Sequence, residues 1–258
     1  EMCIRDRSGN MGIIQINHLH PPFNNVKARQ ALLYLLTNAD YLNTIASDKT
    51  LQTLCFSFFG CGTPMETDAG SETYKGAKDI SKAQQLFKDA GYKGEPITIL
   101  HATDHQYINP ANLVMIQQLR KAGFLKLDVQ AMDWGTVVTR RAKKEAPAQG
   151  GWNIFITGTT VLNSASPITH TSIGMGCDKA WFGWPCDAAF EELRNQWAFA
   201  GDDASRKKIA VELSKRAYEL VPYISFAQWR NPVAYRSDRL SGVMSVPSIP
   251  VLWNIEKK

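Results

Sequence analysis

No run of eighteen apolar residues occurs in the chain, and its densest apolar stretch, Val26 to Leu36, has charges inside it. No segment is therefore fit to cross a bilayer as a helix. Charge of one sign is also scarce. The net charge is only +5, with Lys and Arg scattered among acids, so the basic stripe of a nucleic-acid-binding surface is missing. No repeat at a fixed period is visible. GxSxG, HExxH, a P-loop and a GxGxxG between strand and helix are all absent, which removes the enzyme classes those motifs carry. A Cys–His hydrolase pair leaves no local motif and stays open. The paired acids Glu191-Glu192 and Asp202-Asp203 sit side by side on a helix and in a cap, which suits solvent and capping rather than acid–base work.

What is present is a globular composition. With 258 residues and 44% hydrophobic content, the chain can bury a large core. Residues 1–8 (EMCIRDRS) show no strand alternation, helical face or apolar leader. The string MCIRDRS resembles translated sequencing-adapter sequence, so residues 1–8 are expected to be a non-native scar on a truncated gene product. Setting Cys3 aside leaves four cysteines in two local groups, Cys55 with Cys61 and Cys177 with Cys186. Loops of five and eight intervening residues can close as disulfides in an oxidising compartment; four buried thiols are the alternative.

Periodicity gives an alternating order of elements. Gly12 to Asn17 reads as a strand stopped by Pro21-Pro22. Asn25 is placed to cap a helix over Val26 to Leu36, and Asn38 or Asp40 to start another through Ile45. Ser57 to Gly76 reads as a long surface loop. Asp79 or Ser81 caps a helix with Ala83, Leu86, Phe87 and Ala90 on one face, ended by Gly91. A strand over Ile97 to Leu100 precedes a helix opened by Asn109-Pro110, with Leu113, Ile116 and Leu119 on its apolar face. A strand over Leu125 to Ala131, a helix over Thr136 to Lys144 and a strand over Trp152 to Thr157 follow. That alternation predicts an α/β layer with a largely parallel sheet. Gly158 to Gly176 lacks periodicity and reads as a crossing segment. Asp187 caps a helix to Ala200, a second helix aligns Ile209, Leu213, Ala217 and Leu220, and strand-like runs follow at Tyr223 to Ala227 and Val233 to Arg236.

Several of these segments resemble the family 5 extracellular solute-binding proteins. PPFNNVKARQALLYLL (Pro21 to Leu36) is similar to the family's Pro-Pro-Phe and Val-x-x-Arg-Gln-Ala-Leu entry into a helix. DISKAQQLFKDAGYKG (Asp79 to Gly94) resembles its helix ending in Ala-Gly-Tyr, and GTPM (Gly62 to Met65) its intervening loop. The likeness runs in order over Gly12 to Lys258. It implies the C-terminal half of a two-lobed, type II periplasmic binding protein-like α/β fold: residues 9–157 as the distal lobe, 158–258 as crossing and return to the membrane-proximal lobe. It also implies a monomeric, non-enzymatic protein that needs no cofactor and captures a peptide-like or other small solute between its lobes. The protein would pass that solute to the permease subunits of an ABC importer, in a periplasmic or extracellular location that allows a lipid anchor. The alternatives are a nickel-binding member of the same family and an unrecognised hydrolase.

The expected ligand contacts are His105 and Tyr107, Trp134, Thr157, Gly158, Thr159 and Thr160, and Trp181. Thr157 to Thr160 lie just past a strand, where hydroxyls and a glycine-freed backbone can meet a ligand; a Thr-rich strand end is the plainer reading. By resemblance, Tyr107 falls where peptide-binding members place a ligand-touching Tyr. Cys177 to Cys186 resembles a disulfide-closed loop of dipeptide-binding members, with Trp181 either walling the cleft or packing on its own lobe. Those members carry a Trp and then an Asp that pairs with the ligand amine, whereas here Thr159 and Leu162 occupy these places. Asp104 or Asp133 could substitute. Metal sets of His101, Asp104 and His105, or of His170, Cys177 and Cys186, are conceivable but not assigned.

Overall fold

Ile97–Ala102, the strand β4, is buried at all six positions, the pattern of a strand covered on both faces. The computed structural model describes residues 2–5, 9–244 and 251–258. Within it β4 lies in a six-stranded sheet of order β3-β7-β2-β6-β4-β5, formed with β2 (Asn10–Ile16), β3 (Gln52–Thr53), β5 (Leu127–Met132), β6 (Ile154–Thr160) and β7 (Tyr223–Trp229). Only β6, β4 and β5 run parallel; β2 pairs antiparallel with both β6 and β7, and β3 antiparallel with β7. The sheet is mixed rather than largely parallel. The reason is non-local, because β2 and β7 come from distant parts of the chain and no helical crossover dictates their direction.

The two crossovers take opposite faces. From β4 the chain steps outward to β5 through α5 (Ile108–Lys121), then back past β4 to β6 through α6 (Trp134–Arg140). Right-handed connections then require the two helices to cover opposite sides. On the α5 side lies α2 (Asn38–Ile45), packed with α5 and β7. α1 (Val26–Leu33) packs on α4 (Ile80–Asp89) and on α9 (Asp203–Leu220), which pairs with α8 (Ala188–Phe199). Side-chain caps start most of these helices: Asn25, Asp79, Asp133, Asp187 and Asp202 each accept a backbone N–H from the first turn.

Several local readings shift. The apolar face of α5 is Ile108, Ala111, Met115, Ile116 and Leu119, while Leu113 is 56% exposed, because packing against α2 rotates the buried stripe. The cap at Asp133 moves the start of α6 two residues earlier than expected. Ser57 to Gly76 is only partly surface: it buries Phe58, Phe59, Met65 and Tyr74 and contains a short helix, α3 (Glu72–Lys75). Both cysteine groups are bonded, Cys55 to Cys61 and Cys177 to Cys186.

The expected lobe boundary after Thr157 falls inside β6. Residues of the following stretch, including Val161, Ile173, Met175, Phe190 and Phe226, are buried in the core or its margin. Of residues 1–8, Met2–Arg5 forms a strand, β1, antiparallel to β8 (Pro232–Tyr235); the remainder of those eight lie outside the described residues. A small ladder of β9 (Leu240–Ser241) with β10 (Glu256–Lys257) lies near the C-terminus.

Candidate ligand-binding site

The parallel strands β4, β5 and β6 direct their carboxyl ends to one edge of the sheet, and that edge holds most of the expected site. β4 and β5 stop at Ala102 and Met132, while β6 continues to Thr160 beside the first residues of β2. Thr157 to Thr160 thus belong to the strand and are not a loop beyond it. A crevice at such carboxyl ends, where crossovers diverge to opposite faces, is the usual ligand position in α/β sheets.

Tyr107 N-caps α5 and lies directly over Gly158. A Cβ there would stand 3.5 Å from Tyr107 Cε2 and 3.3 Å from the Met11 carbonyl oxygen, so glycine allows the ring to lie on the strand. Burial raises the Tyr107 phenol above its ordinary pKa, keeping it a neutral donor and acceptor. The Tyr107 ring also meets His105 at 4.3 Å and Trp229, at the end of β7, at 5.1 Å between centroids. His105 in turn meets Trp134 at 5.5 Å. The His105 Nδ1 has no hydrogen-bond partner among the described residues, and burial lowers its pKa despite the nearby Asp104 carboxylate.

Other groups at this edge have structural tasks. Thr160 Oγ1 accepts the Asn163 N–H at 3.2 Å and caps the short α7 (Val161–Ser164). Thr157 is buried, while Gly158 and Thr159 are half-buried. Asp133 accepts both the N–H and the hydroxyl of Thr136. Asp104 accepts the Trp134 N–H at 2.8 Å through Oδ1, and its side chain is exposed with the second oxygen left over. Leu162, at the place where an amine-pairing Asp was expected by resemblance, is 54% exposed.

Trp181 is not brought to this cluster. Its ring lies 6.0 Å from Phe155, near the other end of β6, and beside the Arg141 guanidinium. Trp184 of the same disulfide-closed loop is buried on Trp152. The metal sets do not assemble: His101 bonds Asn109 through Nε2 at 2.8 Å, His170 bonds the Tyr223 hydroxyl, and Cys177 and Cys186 are joined to each other. Among the described residues no three His, Cys, Asp or Glu side chains converge.

Three contributors escape sequence reasoning. Trp229 packs on Tyr107, but the sequence reading ends its strand two residues early; the near-continuous apolar run of Tyr223–Trp229, buried at all seven positions, carries the signal. Gln228 clamps Cys61 by accepting its N–H and donating to its carbonyl, both at 2.9 Å. The Cys55–Cys61 loop is thereby held beside the same edge, a contact that no local pattern announces. Gly9, whose carbonyl accepts the Val161 N–H at 3.0 Å, ties the start of β2 to α7.

This edge offers hydroxyl, imidazole, carboxylate and backbone groups around aromatic rings, a chemistry of recognition. Residues 2–172 match the family model described as bacterial extracellular solute-binding proteins, family 5 Middle. A protein of Sinorhizobium fredii, y4tO, named a probable peptide ABC transporter periplasmic-binding protein, is 36% identical over 98% of this chain and 47% of its own length. Among solved structures, a dipeptide-binding protein from Pseudoalteromonas sp. SM9913 in complex with Met-Leu superposes with TM-score 0.79 at 19% identity, over 100% of this chain and 50% of that one. The binding protein AgaA of A. tumefaciens R10, in complex with agropinic acid, gives TM-score 0.79 at 19% identity, over 100% of this chain and 52% of that one. The chain thus spans about half the length of the relatives it matches. By the family match and the shared fold, the chain belongs to the bacterial extracellular solute-binding proteins of family 5.

Proposed function

We propose that this chain is half of the solute-binding component of an ABC importer, contributing one wall of an interlobe cleft that captures a small solute, peptide-like or another organic molecule. The observation that carries this reading is the convergence of Tyr107, His105, Trp134, Trp229 and Gly158 at one sheet edge, with unpartnered polar groups among the rings. A site of this kind binds by convergent polar contacts in a mostly apolar setting and needs no covalent step. The relative from S. fredii, named for peptide transport, supports a peptide-like cargo, and the agropinic acid complex of AgaA supports a wider range. The permease of an ABC importer is the proposed partner, and a periplasmic or extracellular location follows from the same reading, consistent with two disulfides.

The full-length protein should show ligand-dependent stabilisation, since a solute bound only by the folded state raises the melting temperature. Met-Leu, other dipeptides, N-acetylated dipeptides and opines form the panel. Turnover of a peptide or ester, with no solute shifting the melting temperature, would refute capture as the function.

A further inference from the structure

Three cations at and just past the end of α6, Arg140, Arg141 and Lys144, are treated differently by their surroundings. Arg140 donates from Nε to the Gly150 carbonyl at 3.0 Å and from Nη2 to the Gly151 carbonyl at 3.1 Å. Lys144 pairs with Asp178 at 3.0 Å. Arg141 has no hydrogen bond or ion pair from its guanidinium to any described residue, and its Nε is closed off from solvent without an acceptor. Burial lowers its pKa from the ordinary value. Aromatic rings surround it instead: the guanidinium carbon stands 5.7 Å from the centroid of Trp134, 5.4 Å from Trp181 and 4.7 Å from Phe182.

Its stem is fixed as well. The Arg141 N–H donates to the Val137 carbonyl at 2.9 Å, and its own carbonyl accepts the Trp152 indole N–H at 3.1 Å. Rings offset part of the desolvation of a cation, but they leave every N–H of the fork without an acceptor among the described residues. A half-buried guanidinium on a rigid stem, lacking a carboxylate of its own, is a preformed receptor for a planar oxyanion, which it meets with two parallel hydrogen bonds. Trp134 connects this receptor to the cleft wall, because one ring touches both Arg141 and His105. Leu162, meanwhile, supplies no countercharge for an amine.

We infer that Arg141 is a carboxylate-binding site on the α6 face of the sheet, between Trp134 of the cleft wall and Trp181 and Phe182 of the Cys177–Cys186 loop, and that the solute is an organic acid whose carboxylate is anchored there. The inference rests on the solute-capture reading for the identity of the cargo, but the anion site can be tested without it. Trp134 and Trp181 flank the guanidinium and report its occupancy. In the full-length protein, sodium acetate titrated against sodium chloride at constant ionic strength is expected to change tryptophan emission saturably. The neutral isostere acetamide is expected to leave it unchanged. The acetate response should vanish in Arg141→Met and Arg141→Gln and persist in Lys143→Gln, which alters the local field but not the fork. For a carboxylate solute found in the melting screen, the amide should bind about 10- to 100-fold more weakly than the acid, a gap that closes in Arg141→Met. Equal responses of the wild type and Arg141→Met, equal responses to acetate and acetamide, or no saturable response in the wild type would each overturn the site. Failure of every solute to shift melting would instead strike the capture reading and leave the acetate result to stand by itself.

Discussion

The two ends of the central sheet are built to opposite purposes. At the amino end of β4 and β6, Asn153 and Asn17 are fully buried and knit three segments together. The Asn153 side chain accepts the Thr98 N–H at 2.9 Å and donates to the Pro21 carbonyl at 3.2 Å, and Asn17 Nδ2 donates to the Trp152 carbonyl at 2.9 Å. Gly183 of the Cys177–Cys186 loop closes the end, its carbonyl accepting the His18 N–H at 2.8 Å. At the carboxyl end, Tyr107 and His105 are half-buried and keep polar atoms without partners. Asn17 and Asn153 at the sealed end hold backbone to backbone; Tyr107 and His105 at the open end are available to something else. Stability should therefore be concentrated at one end and recognition at the other, which mutation can break or sharpen.

Gly183→Ala should have the largest effect. The residue sits at φ +105°, and a Cβ would stand 2.4 Å from the Ile16 carbonyl oxygen, so strain and a backbone clash combine to a loss of about 3–5 kcal/mol. Chemical denaturation checks it, and a loss below about 1 kcal/mol would show that the loop shifts freely and does not seal the sheet. Asn153→Ala should cost about 2–3 kcal/mol, because it leaves the buried Thr98 N–H without an acceptor. His170, buried against Tyr223 near the same end, has its pKa pushed down to about 3 by burial and by Arg194. The unfolded chain, with a His pKa near the ordinary value of about 6.5, binds a proton that the folded one refuses. Stability then falls as pH drops from about 6.5 toward 3. Replacement by Gln should flatten that part of the profile; parallel profiles for the two proteins would exclude His170 as the cause.

Legibility followed the same division. Elements set by local chemistry are readable: Asp187 starts a helix where the sequence puts it, Asp79 is the one of two offered caps that starts α4, and β4, α5, β5, α6 and β6 come in the expected order. Contacts that depend on which strand meets which were not readable. β2 and β7 carry good strand patterns, but nothing local says that they pair with each other and turn the sheet mixed. The site shows the same limit. Tyr107 and Gly158 are 51 residues apart in a sequence that names both, yet their contact exists only because β4 and β6 are neighbours. Trp181 lies apart from the Tyr107 cluster for the converse reason, since an aromatic residue in a stapled loop looks alike at either end of a sheet. Leu113 fits the period of its helix and still faces solvent, because neighbouring α2 rather than periodicity chooses the buried stripe.

At the open end the expected effects on stability are small and those on binding large. Gly158→Ala meets only the edge of the Tyr107 ring and one carbonyl at 3.3 Å or more, so about 1 kcal/mol or less is expected. The displaced ring should weaken capture of any solute that Gly158 and Tyr107 share. Tyr107→Phe is the finest test. It keeps the ring contacts with His105 and Trp229 and removes a hydroxyl that bonds no described residue. Folding stability should stay within about 0.5 kcal/mol of the wild type. Affinity for the solute should fall by about 10-fold if that hydroxyl is a ligand contact, because one neutral hydrogen bond is worth about 1 kcal/mol net and more when its loss leaves a buried ligand group unpaired. Calorimetric titration and urea denaturation of the same preparation separate the two quantities. A loss of stability with affinity intact would move Tyr107 from the recognising end of the sheet to the structural one, and the contrast between the two ends would collapse at its central residue.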